Sequence, residues 1–390
     1  MRLLSAVCVL LLCVSCTSVK KAPAPLAGKQ PSAPAVAPSA EPGLEVMVGQ
    51  MILAGFRGTG EKPLSQDITF LLEDIKAGRV GGVIYFDRDV LSKTAGRNVK
   101  SAAQVKALSA LLQKDASIPL FVSIDQEGGR VQRLRQEHGF FDTPSAKEMG
   151  KGTVAQTRAF AEGLGRGLRS LGINLDFAPS LDVDVNPQSP AIGAVERSFS
   201  PDPQKVAAHG LAFAQGLYAT GVIPCYKHFP GHGSAANDTH LGLTDITKSF
   251  KQYELAPYRT ILPQSPPAMV MPAHIIHKGM GRGLPSSLSP AIITSLLRKK
   301  LGWKGVVVSD DLQMQAIEGY YSTKEALRMC VTAGADILLL GNNLRHDPQQ
   351  ARKAHALLLE LVREGALTKE RIKASYDRII ALKKAAGIVR

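Results

Sequence analysis

Residues 222–240, VIPCYKHFPGHGSAANDTH, put Lys227 and His228 directly after an apolar run and close on Asp238-Thr239-His240. An apolar run halted by a Pro/Gly turn reads as a buried strand, with the polar cluster just past its C-terminal end. The same pattern recurs along the chain. Asp125 precedes Gln126-Glu127-Gly128-Gly129-Arg130-Val131-Gln132-Arg133, another run leads into Asp182 and Asp184, and others end in His274 and in Ser309-Asp310-Asp311. Burying charge beside apolar strands is costly unless the charge is partnered. Five such endings describe a pocket better than they describe scattered ion pairs.

Elimination narrows the chemistry. His228 and His232 are four apart, as in helical zinc pairs, but Pro230 and Gly231 forbid a helix and no Glu follows His228. No catalytic metal or other cofactor is expected. A Gly-x-Ser-x-Gly elbow is absent, and Cys225 lies inside the apolar run, so neither a serine nor a cysteine nucleophile is indicated. What remains is carboxylate chemistry. An Asp at a strand end can attack an electrophilic carbon, while a His two residues from an Asp can serve as acid and then base. Retaining glycoside hydrolysis needs such a pair, although it is not the only reaction that would use one.

The elements that must position these groups alternate regularly. Eight strand candidates run over Met51–Phe56, Val80–Phe86, Pro119–Asp125, Ile173–Pro179, Val222–His228, Ala268–His274, Gly305–Asp311 and Asp336–Asn342. Helical patterns fill the intervals, with Leu64, Ile68, Leu71, Leu72 and Ile75 marking one face of the first. Others occupy 153–170, 203–219, 250–262, 290–300, 322–333 and 347–361. Eight βα units predict an α/β fold, a (β/α)8 TIM-type barrel forming a single catalytic domain. The rival doubly wound sheet would show a Gly-rich turn after its first strand, and Gly55-Phe56-Arg57-Gly58 is a poor match. A final amphipathic stretch from Thr368 to about Lys384 is expected as an extra helix packed on the outside of the barrel.

Among 390 residues, 45% hydrophobic content excludes wholesale disorder. The net charge of +14 is not gathered into basic runs interleaved with aromatics, so nucleic acid is not an expected partner. Residues 1–16, MRLLSAVCVLLLCVSC, have the shape of a signal peptide and end in Cys13-Val14-Ser15-Cys16, which resembles a bacterial lipobox. Cys16 would then be the lipidation site, tying an exported protein to the cell envelope at the outer membrane, periplasm or cell surface. Residues 17–43, rich in Pro and Ala, read as a tether, and 44–390 as the folded domain. The body's only cysteines, Cys225 and Cys330, form no disulfide framework.

KHFPGHG (227–233) followed by Asp238-x-His240, with DQEGGRVQR (125–133) and VVVSDDLQM (306–314), closely resembles glycoside hydrolase family 3, in particular its single-domain β-N-acetylhexosaminidases. The resemblance covers about Leu44 to the C-terminus. It implies a retaining exo-enzyme releasing GlcNAc from cell-wall fragments, muropeptides or chitin-type oligosaccharides, acting as a monomer. By the same resemblance Asp310 is the nucleophile, His240 the acid/base paired with Asp238, and Asp311 structural. Asp125, Arg133, Arg197, Lys227 and His228 are the implied substrate contacts, His274 a weaker candidate, and His232 a loop-ordering residue. The spacer Ser234-Ala235-Ala236-Asn237 lacks the acidic residue the family often places after Gly233. Three alternatives stay open: a phosphorylase of the same family, a β-glucosidase, and a surface lipoprotein that binds sugar without turnover.

Overall fold

Parallel strands alternate with helices from Leu44 onward in the computed structural model, which describes residues 42–239 and 242–389. The signal peptide, Cys16, nearly all of the tether and His240 lie outside the described residues. The strands are β1 (Ile52–Gly55), β2 (Gly82–Ile84), β3 (Phe121–Ile124), β4 (Leu175–Asp176), β5 (Ile223–Phe229), β6 (Met269–Pro272), β7 (Val306–Val307) and β8 (Leu338–Leu340). Seven fall inside the runs expected from the sequence, and β5 runs one residue past its expected end, to Phe229. Each pairs in parallel with its neighbours, in the spatial order β8-β1-β2-β3-β4-β5-β6-β7. A parallel bridge between Val308 and Ile337 joins the two ends, closing the (β/α)8 barrel.

Strand residues are buried on both faces, because helices cover the outer face and side chains fill the inside. This explains why they read as continuous apolar runs rather than alternating ones. The regular ladders are shorter than those runs, yet the backbone pairing continues beyond them. Phe177 N–H donates to Ile124 O and Cys225 N–H to Ala178 O, each at 2.8 Å, just past the two-residue β4. The crossover helices start where capping chemistry directs. Thr153 and Gln156 form a reciprocal capping box for helix Val154–Ser170, and Asp202 caps helix Pro203–Ala219, whose first residue is proline. Ser101 caps helix Ala102–Gln113, and the Gln104 side chain turns back to accept from Lys100 N–H. The segment 291–300, expected as a helix, winds as a π-helix.

The helix Lys369–Ala385 packs outside the barrel, as expected. It lies across the N-terminal end of the barrel rather than against the outer wall. Lys383 is fully buried there and donates to Gln50 Oε1 (2.7 Å), Gly81 O (3.0 Å) and Pro119 O (2.6 Å), just ahead of β1, β2 and β3. Its ammonium stands 4.6 Å from the centre of the Phe121 ring. Near β8, Arg371, Ser375 and Arg378 of the same helix surround the buried Asp336, which Arg298 also reaches at 2.6 Å. An amphipathic pattern shows that a helix packs but not against which surface, so the plug was invisible to periodicity.

Among the described residues no carboxylate partners Lys383, and burial pushes its ammonium down to about 7. The unfolded chain holds that proton up to about pH 10.4, so from pH 7 towards 10.4 the unfolded state binds the extra proton and stability rises with pH. Lys383→Met should therefore remove a gain of up to about 1.4 kcal/mol per pH unit between pH 7 and 9. The check is the difference between the wild-type and variant urea-unfolding free energies across that range. Parallel curves for the two proteins would show that Lys383 is not buried with this preference for the neutral amine.

Candidate active site

At the opposite, C-terminal mouth, a cavity of about 310 Å³ is walled by residues from β2 through β8 and their loops. Asp125, Arg133, Arg197, Lys227, His228, Asp238 and Asp310 all line it. His274 apart, every described residue assigned to the site from sequence is thus gathered in one place, despite a spread of some two hundred positions along the chain. His274 is not part of the lining. It is fully buried, with Nδ1 2.7 Å from Ser287 Oγ and Nε2 2.9 Å from Asp311 O, so it braces the loop after β7 from beneath.

The floor is an ion network. Lys227 Nζ sits 2.8 Å from Asp125 Oδ1 and 2.6 Å from Glu127 Oε1, with a side chain only 3% exposed. Arg197 grips Glu127 with two nitrogens, Nε to Oε2 at 2.8 Å and Nη2 to Oε1 at 2.6 Å, while Arg133 Nη2 lies 3.2 Å from Asp125 Oδ2. Burial would raise both carboxyls, but Arg197 and then Lys227 pull Glu127 down to about 2, and Lys227 and Arg133 hold Asp125 below its ordinary range. The same contacts keep Lys227 firmly protonated against burial. Asp125 therefore stays a carboxylate flanked by two cations, a pattern suited to gripping vicinal hydroxyls with acceptors and donors together.

A second chain of contacts fixes the loop after β5. His228 Nδ1 is 2.6 Å from Asp182 Oδ2, and Arg197 Nη2 lies 3.1 Å from His228 Nε2. A guanidinium can only donate, so Nε2 accepts and Nδ1 carries the proton given to Asp182. Asp182 Oδ1 also accepts from His232 N at 2.7 Å, and these partners outweigh burial to keep its carboxyl well below the usual range. Gly233 packs so closely on the loop after β4 that a Cβ would stand 1.7 Å from Val183 O. Beyond it, Ser234 N–H donates to Glu254 Oε2 at 3.1 Å. Lys227 and His228 are adjacent on β5 yet both face the cavity, and the β5–β6 register slips between Lys227 and Phe229. A regular strand would have sent them to opposite faces.

The Ser309-Asp310-Asp311 triplet divides its work by position. Ser309 N–H donates to Ile337 O, and Ser309 Oγ accepts from Leu339 N, both at 2.9 Å. Asp311 Oδ1 accepts from Gly341 N at 2.9 Å and Gln313 N at 3.0 Å. A Cβ at Gly341 would fall 2.2 Å from the Asp311 carboxylate, so the approach requires glycine. Side chains of the two outer residues thus take the place of backbone partners between β7 and β8. Asp310, between them, faces the cavity.

Sequence reasoning assigned no role to Glu127 or Asp182, although both lie in runs it singled out. Charge balance gave no signal for them, since the three cations placed in the site, Lys227, Arg133 and Arg197, were matched in number by Asp125, Asp238 and Asp310. Asp176 lies beneath the network with Oδ2 unpartnered, and burial raises its carboxyl to about 8, so it is neutral at pH 7 and adds no further negative charge. Among the described residues, no three of His, Cys, Asp and Glu are grouped to hold a metal ion.

Removing one member of a buried ion network leaves its partners uncompensated. Lys227→Met should lower unfolding stability by about 3–5 kcal/mol in urea titrations, and adding Glu127→Gln should recover part of the loss. Equal stability of wild type and Lys227→Met would show that the network is solvated rather than dry.

Comparisons with known proteins bear on the family and the fold. Residues 44–382 match the family description "Glycosyl hydrolase family 3 N terminal domain". Beta-hexosaminidase A of Pseudoalteromonas piscicida is 34% identical over 373 residues, covering 86% of this chain and 60% of that protein. Beta-hexosaminidase LpqI of Mycobacterium tuberculosis is 43% identical over 242 residues, 60% of this chain and 61% of its own length. Among solved structures, a glycoside hydrolase family 3 beta-N-acetylglucosaminidase from Paenibacillus sp. str. FPU-7 superimposes with a TM-score of 0.79 at 36% identity, covering 89% of this chain and 63% of that one. The chain therefore spans about three fifths of the length of these relatives.

Proposed function

This chain belongs to glycosyl hydrolase family 3, and on that premise we propose that it is a retaining exo-β-N-acetylglucosaminidase acting on cell-wall fragments or chitin-type oligosaccharides. The observation that carries the reading is the convergence of Asp310, Asp238 and the Asp125–Lys227–Arg133 group on one cavity. Its volume is at the small end of ligand pockets (roughly 300–1,000 Å³), which suits a single terminal sugar.

Asp310 attacks the anomeric carbon while His240, oriented by Asp238, protonates the departing oxygen. Water then enters with His240 as base, and two displacements at one carbon retain its configuration. Asp125, Arg133, Arg197, Lys227 and His228 hold the sugar hydroxyls, and no metal or other cofactor enters the cycle. Arg130, which also lines the cavity, adds a further cation. That favours phosphate as the alternative acceptor, which would make the enzyme a phosphorylase.

Hydrolysis of aryl β-GlcNAc beside aryl β-glucoside, with and without phosphate and chelator, tests the reading. GlcNAc release without dependence on either additive is expected. Asp310→Ala should abolish turnover. His240→Ala should cost about 10²–10⁴-fold on poor leaving groups but little on activated aryl ones, and equal loss on both would count against His240 as the acid.

Export with acylation of Cys16 is part of the same proposal, placing the barrel at the envelope on a tether of residues 17–43. No helix among the described residues is long and apolar enough to cross a membrane. Cys16→Ser should move the protein from the membrane fraction to the soluble fraction after cell breakage. An unchanged distribution would remove the anchor.

A further inference from the structure

The carboxyl of Asp176, in β4, lies beneath the ion network and takes no part in the proposed cycle. It is fully buried, in register with Ile124 of β3 on one side and Pro224 of β5 on the other. Its Oδ1 accepts from Gln126 N at 2.9 Å, and its Oδ2 is buried without a partner. Gln126 stands between Asp125 and Glu127, the two carboxylates that hold Lys227. The Gln126 side chain carries the hold further, with Oε1 accepting from Arg133 N at 2.9 Å and Leu134 N at 3.0 Å. One oxygen of Asp176 thus fixes the turn from which Asp125, Glu127 and Arg133 all reach the site.

The groups that face Asp176 set its charge. Asp125 and Glu127 come from β3 and the loop after it, and Lys227 and Cys225 come from β5. Asp310, from beyond β7, acts on the same Cys225, whose thiol burial keeps neutral. A carboxyl that meets one N–H, two carboxylates and an ammonium already engaged is more stable protonated. Burial first, then Asp125 and Glu127, outweigh Gln126 N–H and Lys227 and raise it to about 8. An ammonium has three N–H donors. Two of those on Lys227 serve Asp125 Oδ1 at 2.8 Å and Glu127 Oε1 at 2.6 Å, which leaves one for a sugar hydroxyl.

We propose that Asp176 is a positioning residue for sugar binding that serves only in its neutral form. Protonated, it holds the Asp125–Glu127 turn and leaves the third Lys227 donor to the substrate. Ionised, it takes that donor for itself. The inference rests on the reading of the cavity as a GlcNAc site and deepens it, because the alkaline limit of sugar binding is then set inside the barrel and not by the Asp238–His240 pair alone. Asp176 touches no substrate atom; its effect reaches the sugar through Lys227 and the backbone of Gln126.

The test compares the full chain with Asp176→Asn, which keeps an acceptor for Gln126 N–H but cannot ionise. GlcNAc is titrated as a competitive inhibitor of aryl β-GlcNAc hydrolysis from pH 6 to 9. The ratio of wild-type to variant inhibition constants should be near one at pH 6 and rise about tenfold by pH 9, within reach of a lost hydrogen bond to a charged group. His240 titrates in both proteins, so its part cancels from the ratio. Asp176→Leu, which removes the acceptor, should weaken binding at every pH. A ratio that does not change with pH overturns the proposal, as does an Asp176→Leu chain that binds GlcNAc like the wild type.

Unfolding in urea gives a second readout that needs no activity. From about pH 4 to 8 the native state holds a proton that the unfolded chain has released. The wild type should therefore lose stability relative to Asp176→Asn as pH rises, by up to about tenfold in the folding equilibrium per pH unit. Parallel curves would show that Asp176 is not held neutral, which overturns the proposal and leaves the glycosidase reading standing. Absence of hydrolysis refutes that reading, and with it the role of Asp176 in sugar binding.

Discussion

Lys227 is the constraint on which the active mouth depends. A primary ammonium with a side chain 3% exposed survives in a barrel only if carboxylates from elsewhere in the fold reach it, and Asp125 and Glu127 do so from the strand two places away. That requirement fixes the loop after β3 against β5, and Glu127 in turn fixes Arg197 from the loop after β4. Three separate segments are thereby locked to one point before any substrate arrives. The preorganisation comes from electrostatics in a dry setting, where each partner is too costly to leave alone.

From this floor the order spreads upward through hydrogen bonds of decreasing charge. Arg197 reaches His228, His228 reaches Asp182, and Asp182 receives the backbone of His232 at the base of the loop that carries Asp238. The loop is thus anchored where it leaves the strand, by His232, Gly233 and Ser234. A rigid base below a longer polar segment is what the proposed acid/base loop needs if it is to meet its substrate at a repeatable height.

Much of this was legible in the sequence. Eight apolar runs sufficed for the barrel, because strands buried on both faces leave an unbroken apolar signature. The polar residues at their ends sufficed for the site, since βα loops of a barrel share one mouth. What stayed hidden depends on partners rather than on local pattern. Nothing about Lys383 in an amphipathic helix says that it meets three carbonyls under the barrel. Nothing about Glu127 or Asp182 says which partner each meets.

Closure of the barrel between β7 and β8 has a bearing on how genetic data would be read. Backbone pairing there is the bridge of Val308 with Ile337 and, further up, Leu312 N–H donating to Leu339 O at 3.0 Å, while the side chains of Ser309 and Asp311 on either side of Asp310 hold the seam between them. Sequence variation across the triplet is therefore constrained for two unrelated reasons in three consecutive codons. A survey scored on catalytic output alone would mark all three positions as intolerant and merge them into one signature. Scored on soluble yield, the outer two would separate from the centre. The triplet is two architectural positions enclosing the proposed nucleophile, and a lineage that gave up the chemistry would still be expected to keep the frame.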